Sequence, residues 1–161
     1  MKTQIENLLK QLAVLKSIPF CYGCYSEAPS GVCAKCGSDD LMRMVSGVGC
    51  EYGYDWIFTD ILSGFESIND DELFEESMRD CYPETTQIGW LKYDTVLAIK
   101  ELDPVSWRMA KSEWIDSEES EDRIVSFDDG SSYYDASLLL EELEAVLDDL
   151  KESSPKVSHL L

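Results

Sequence analysis

The sequence predicts an α+β fold: a mostly helical domain with a small β-hairpin and an N-terminal insertion that carries four cysteines. Three observations carry this. Apolar residues recur at three- and four-residue spacing in several segments, most of which open on good N-cap residues. An Asp-Gly step, Asp129-Gly130, lies between two short β-prone runs. Cys21/Cys24 and Cys33/Cys36 form two C-x-x-C steps in a stretch punctuated by Gly and Pro. At 161 residues and 44% hydrophobic, the chain suits one domain over 1–152, with a module at 18–46 and a flexible tail at 153–161.

Residues 3–16 read as an amphipathic helix. Thr3 with Glu6 three residues on is a capping-box pattern, and Ile5, Leu8, Leu9, Leu12 and Leu15 fall on one face. Pro19 ends it. The cysteine loop spans 20–37, and 41–45 reads as a short strand packed on it. Gly47, Gly49 and Gly53 then form a turn. Residues 54–63 read as a buried helix closed by Gly64. Asn69 or Asp70 caps a helix to about Arg79, with Leu73, Phe74 and Met78 inward. Residues 87–93 are a candidate strand, after which Asp94 caps a helix to about Leu102. Asp103-Pro104 starts the next helix, with Asp at the N-cap and Pro at the first helical position. It carries Val105, Trp107, Ala110, Trp114 and Ile115 and frays in 118–122. Residues 123–134 read as a hairpin turning at Asp129-Gly130. Leu139, Leu143, Val146, Leu147 and Leu150 make the apolar face of a last helix over 137–151.

Two C-x-x-C steps each deliver two thiolates from a tight turn, which is the donor set of a tetrahedral zinc site. Cys21, Cys24, Cys33 and Cys36 are therefore the expected metal ligands. Four cysteine ligands leave no open position, so zinc there is structural, not catalytic. Iron in a rubredoxin-like site and a pair of disulfides are the alternatives. Residues 20–46 resemble a short zinc ribbon, above all in the second knuckle, Cys33-Ala-Lys-Cys36-Gly37-Ser38. Such ribbons occur in nucleic-acid-binding proteins and in protein-interaction modules. Here Lys35 stands among Glu27, Asp39 and Asp40, which is no basic patch.

No apolar run approaches the ~20 residues of a membrane span. Glu6, Lys10, Gln11 and Lys16 interrupt any signal-peptide core, so a cytoplasmic protein with metal-bound or free thiols is expected. The formal net charge is −20, from 13 basic and 33 acidic residues. Residues 1–68 hold 5 basic and 8 acidic residues, net −3, and 69–161 hold 8 and 25, net −17. Such a field repels phosphate backbones and anionic membranes and attracts basic partners.

Catalytic motifs are missing from the sequence: there is no H-E-x-x-H, no G-x-S-x-G and no P-loop. Cys50 has no histidine base beyond His159 in the tail, and Cys50 and Cys81 read as small buried hydrophobes. Trp56, Trp90, Trp107 and Trp114 read as core, and Tyr22, Tyr25, Tyr52 and Tyr54 as a candidate recognition patch beside the ribbon. The stretches Cys50-Glu-Tyr-Gly-Tyr-Asp-Trp56 and Asp103-Pro-Val-Ser-Trp-Arg108 make the whole chain similar to small acidic proteins of bacterial plasmids and other mobile elements. That resemblance implies no activity, but it makes inhibition of a host defence nuclease a natural expectation.

The expected function is non-enzymatic binding of a basic macromolecular partner through the acidic C-terminal half. Glu118, Glu119, Glu121 and Asp122 are the first candidate contacts, and Glu141, Glu142, Asp148 and Asp149 the next. One alternative is a DNA mimic that occupies the basic groove of a restriction or defence nuclease. Another is a nucleic-acid-binding ribbon, which needs Lys35 and Arg43 to build a local basic face.

Overall fold

The computed structural model describes residues 1–153, so the expected tail lies outside the described residues except for Ser153. Among the described residues, six helices and eight short strands give the expected α+β, mostly helical fold. The chain divides into two compact units, one of residues 1–66 with those from 137 onward, the other of residues 67–136.

The first unit opens with α1 (Lys2–Lys16), followed by a four-stranded antiparallel sheet in the order β2-β1-β3-β4. Its strands are β1 (Ile18–Cys21), β2 (Ser26–Glu27), β3 (Met42–Val45) and β4 (Gly49–Glu51). Then come α2 (Asp55–Leu62) and, from the C-terminal end, α6 (Ala136–Ser153). Two expectations for α1 are corrected. Its N-cap is Met1 and no side chain caps it, so Thr3 is already helical and no capping box forms. The buried stripe is Ile5, Leu9, Leu12 and Ala13, while Leu15 is exposed. At 100° per residue Leu15 lies roughly 105° from the centre of that stripe, and Ala13 about 55°. Ile57, Ile61 and Leu62 of α2 are buried, as are Leu139, Leu143 and Leu147 of α6.

The glycine-rich stretch holds a strand that the sequence reading missed. Gly47, left-handed at φ 78°, turns β3 into β4, and Gly49 lies within β4. A Cβ at Gly49 would come 3.3 Å from the Trp56 ring, which explains the small residue without a phosphate.

The second unit contains α3 (Asp70–Cys81), α4 (Thr95–Leu102) and α5 (Pro104–Ser120). It also has two hairpins, β5 (Thr85–Ile88) with β6 (Leu91–Asp94), and β7 (Ile124–Val125) with β8 (Tyr134–Asp135). Each helix start is capped as its sequence predicts. Asn69 accepts from the Glu72 N–H at 3.3 Å, Asp94 from Leu97 at 2.9 Å and Asp103 from Ser106 at 3.0 Å. The core is Phe74, Val96 and Trp107, with the Phe74 and Trp107 rings edge-on at 4.8 Å and Met78, Ile99 and Trp114 packed around them. Leu73, expected inward, is exposed.

Three further expectations change. The segment 87–93 is not one strand but most of a hairpin, turning at Gly89-Trp90 with Gly89 left-handed at φ 63°. Trp90 therefore sits at a turn and is exposed, not core. The end of α5 does not fray. The Arg123 N–H bonds back to the Glu118 carbonyl at 2.9 Å and the Asp122 N–H to the Glu119 carbonyl at 3.1 Å. Asp122 is left-handed at φ 57°, which completes a Schellman closure with Asp where Gly is usual.

Leu143→Ala is expected to destabilise the protein by about 2–5 kcal/mol. Asp103→Ala should cost about 1 kcal/mol, and Trp90→Ala less than about 0.5 kcal/mol. Urea unfolding measures all three, and a large loss for Trp90→Ala would contradict its exposed position.

Candidate metal centre and acidic surface

The first knuckle is held by the ends of two short strands, the second by the hydrogen bonds of its own turn. β1 ends at Cys21, which pairs with Ser26 of β2, so Cys24 sits in the tight loop between them. In the second knuckle the Cys33 N–H donates to the Ser38 carbonyl at 2.8 Å, and the Gly37 N–H to the Cys33 carbonyl at 2.8 Å. The residue after the second cysteine is left-handed in both knuckles, Tyr25 at φ 48° and Gly37 at φ 74°. Glycine meets this freely, whereas a tyrosine gives up about 1–2 kcal/mol there. The Tyr25 ring returns part of it by packing edge-on against Phe20, with centroids 5.3 Å apart.

The four thiols converge. Their sulfur atoms all lie within 4.8 Å of one another, and Cys21 Sγ is 3.8 Å from Cys36 Sγ. A tetrahedron with metal–sulfur bonds of about 2.3 Å has edges of about 3.8 Å. The same distance is far beyond the ~2 Å of a disulfide, and all six cysteines are free thiols. The donor set and its dimensions thus fit a metal ion.

The electrostatics at these sulfurs are uneven. Backbone N–H groups of Cys36 and then Lys35 donate to the Cys33 sulfur and, against burial, draw that thiol down to about 6. The hydrogen bond with Cys36, with burial next, pushes Cys24 up to about 12. At Cys21 the bond from the Cys24 N–H favours the thiolate. Burial and the neighbouring Cys33 and Cys36 thiols outweigh it and hold Cys21 above the ordinary value. Four sulfurs at this spacing cannot all ionise alone, whereas a bound divalent cation keeps all four as thiolates.

The remaining candidates are placed as follows. Cys50 is half-buried in β4, its sulfur 4.0 Å from Met42 Sδ. Cys81 is exposed at the last residue of α3, which corrects its reading as a buried hydrophobe. Tyr22, Tyr25 and Tyr52 are exposed near the knuckles. Arg43 does not face solvent as a cation for phosphate. It donates to the Val14 and Ser17 carbonyls at 3.1 and 2.9 Å and to Ser17 Oγ at 3.0 Å, and lies over the Tyr54 ring. Lys35 Nζ points at the Cys24 carbonyl, 3.4 Å away.

The expected partner-binding carboxylates fall in different units. Glu118, Glu119, Glu121 and Asp122 close α5 in the second, and Glu141, Glu142, Asp148 and Asp149 lie exposed on α6 in the first. Glu118 takes a two-point contact from Arg123, with both oxygens at 2.6 Å, and Glu121 pairs with the same guanidinium. Most cations of the second unit are used in this way. Arg79 bridges Glu75 and Asp94 at 3.0 and 2.7 Å, Lys100 meets Glu75 at 3.1 Å, and Lys111 meets Asp70 and Asp71 at 2.7 and 2.6 Å.

Among the described residues no helix is long and apolar enough to cross a membrane. The chain matches no protein-family profile, no curated protein and no solved structure. The likenesses drawn from the sequence therefore rest on the quoted motifs alone.

Metal removal by a strong chelator, or Cys33→Ser, is expected to lower the thermal midpoint by at least about 5 °C. It should also open residues 18–46 to proteolysis. An unchanged melting curve contradicts the site.

The Glu118–Arg123 pair has a pH signature. The Arg123 hydrogen bond holds the Glu118 carboxyl below its ordinary 4.5. The pair's contribution is therefore complete above that value and disappears as acid protonates Glu118. The stability gap between the wild type and Arg123→Met, read by urea unfolding, is expected to be full at neutral pH and to shrink below pH 4.5. A gap that persists into strong acid contradicts the pair.

Proposed function

We propose that this protein is a non-catalytic, zinc-containing binding protein that engages a basic macromolecular partner through its acidic surface. Zinc is the metal that best suits four thiolates in a closed set, and its role is structural. The observation that carries the partner assignment is the charge balance of residues 67–136. They hold 19 acidic and 6 basic residues. Four of those bases, Arg79, Lys100, Lys111 and Arg123, are tied to carboxylates of the same unit. The excess negative charge stands on capped, ordered helices, where it is available to a partner and cheap to present.

A DNA mimic that inhibits a restriction or defence nuclease is the second reading, and one feature favours it. Glu141, Glu142, Glu144, Asp148 and Asp149 lie on ordered α6. They fall within an arc of about 160° and about 12 Å of helix axis. That is roughly one carboxylate per 2.4 Å, against one phosphate per ~1.7 Å of duplex axis. The nucleic-acid-binding ribbon is not adopted, because Arg43 and Lys35 are directed at the chain's own carbonyls.

The test is association with the basic partner at graded ionic strength. The wild type is compared with a variant in which Glu76, Glu84, Glu113 and Asp116, all exposed in residues 67–136, are changed to lysine. The association rate of the wild type should fall steeply with salt, and that of the variant should be at least about tenfold lower at low salt. Equal, salt-independent rates would contradict the electrostatic assignment. Competition by duplex DNA would select the mimic over the plain interaction protein.

A further inference from the structure

The second unit also presents an apolar surface that neither the metal centre nor the carboxylates explain. β5 and β6 form a two-stranded sheet of their own. Thr86 pairs with Tyr93 and Ile88 with Leu91. Side chains alternate along a strand, and directly paired residues share a face. Thr86, Ile88, Leu91 and Tyr93 therefore make one face, and Thr85, Gln87, Lys92 and Asp94 the other. The polar face is an ordinary solvent face, whereas the apolar one is uncovered. Ile88, Leu91 and Tyr93 are 51, 46 and 45% exposed, and Trp90 in the turn is 91% exposed.

This is a poor way to spend a tryptophan unless it meets something. An isolated two-stranded hairpin is marginal in water, and an exposed apolar strand edge invites association. The base of this one is nevertheless firmly fixed. Asp94 ends β6, caps α4 and takes Arg79, and the Thr95 N–H bonds to the Glu84 carbonyl at 3.1 Å. The two-residue turn with left-handed Gly89 sets Trp90 in the second turn position. The ring is thus presented on a pinned support, with little ordering left to do on binding.

Charge decides the occupant. A second copy would bring another −20 against this one, and phosphate backbones and anionic vesicles are repelled in the same way. The hairpin and the elements that carry it hold Asp80, Glu84, Asp94 and Glu101 against one cation of the hairpin itself, Lys92 on its polar face, while Arg79 and Lys100 are both tied to Glu75. An apolar pocket rimmed by lysine and arginine complements this combination.

We infer that the β5–β6 hairpin is the apolar anchor by which this chain docks on a basic protein, with Trp90 filling a pocket of that partner. Ile88, Leu91 and Tyr93 cover the pocket edge, and the carboxylates of the same unit meet its basic rim. The inference rests on the basic partner proposed above. It adds where contact is made and that contact is not electrostatic alone. A central aromatic that enters a dry pocket is the usual form of an interface hot spot.

The experiment passes an extract of the source cells over immobilised wild-type protein and over Trp90→Ala, at low and at high salt, with quantitative mass spectrometry. The protein retained most strongly by the wild type is then purified and titrated against both. Circular dichroism and melting confirm that the variant is folded. The expected result is a basic protein held through high salt by the wild type only, with binding about thirtyfold weaker for Trp90→Ala and largely restored in Trp90→Phe. A basic protein bound equally by both variants would overturn the hairpin anchor and leave the acidic-surface reading standing. No basic protein retained by either would overturn both. Self-association in sedimentation, or binding to anionic vesicles, that is lost in Trp90→Ala would overturn the inference in favour of that occupant.

Discussion

The convergence of four sulfurs within 4.8 Å is the constraint on which the N-terminal architecture depends. The stretch from β1 to β4 buries few apolar side chains, chiefly Phe20, Cys21, Ala28 and Cys33. So small a set cannot offset the conformational entropy of ordering four short strands and two turns. A cation bound by these four sulfurs would join the β1–β2 loop to the 33–37 turn and supply what burial does not. The order then extends through pairing: β1 runs beside β3, and Arg43 of β3 ties the sheet to the end of α1 through Ser17 and Val14.

Residues 67–136 are organised on a different principle. Three helix starts are closed by Asn69, Asp94 and Asp103, and the cations are placed where they bridge helices. Lys111 reaches from α5 to the start of α3, and Lys100 from α4 to Glu75 on the same helix. These half-exposed pairs each contribute modestly to stability. Their larger effect is on the surface, because they use up most positive charge in an already acidic unit and leave a negative field around the apolar hairpin. The combination of that field with one presented aromatic is what a basic partner with a pocket would recognise.

The parts of this structure that were legible in the sequence are those decided by neighbours in the chain. The C-x-x-C spacing, the caps at Asn69, Asp94 and Asp103, and the turn at Asp129-Gly130 all express local geometry, and all are formed. The misreadings concern what packs on a surface. Trp90 stands in an apolar run and reads as core, yet the Gly89-Trp90 turn takes it out of any strand and leaves it in solvent. Leu15 is apolar but rotated off the buried stripe that Ala13 completes. The acidic run 118–122 reads as a fraying end, and only the folded closure shows that Arg123, just beyond it, holds Glu118 and Glu121. The strand β4 was hidden by glycines that serve a turn and the Trp56 ring.

Cys21, Cys24, Cys33 and Cys36 are proposed to hold one structural zinc. The most direct measurement is native mass spectrometry of the purified protein, combined with X-ray absorption at the metal edge. The expected result is one zinc per chain, bound by four sulfurs at about 2.3 Å. A chain without metal whose mass shows paired disulfides, or a metal shell containing nitrogen or oxygen ligands, would contradict it.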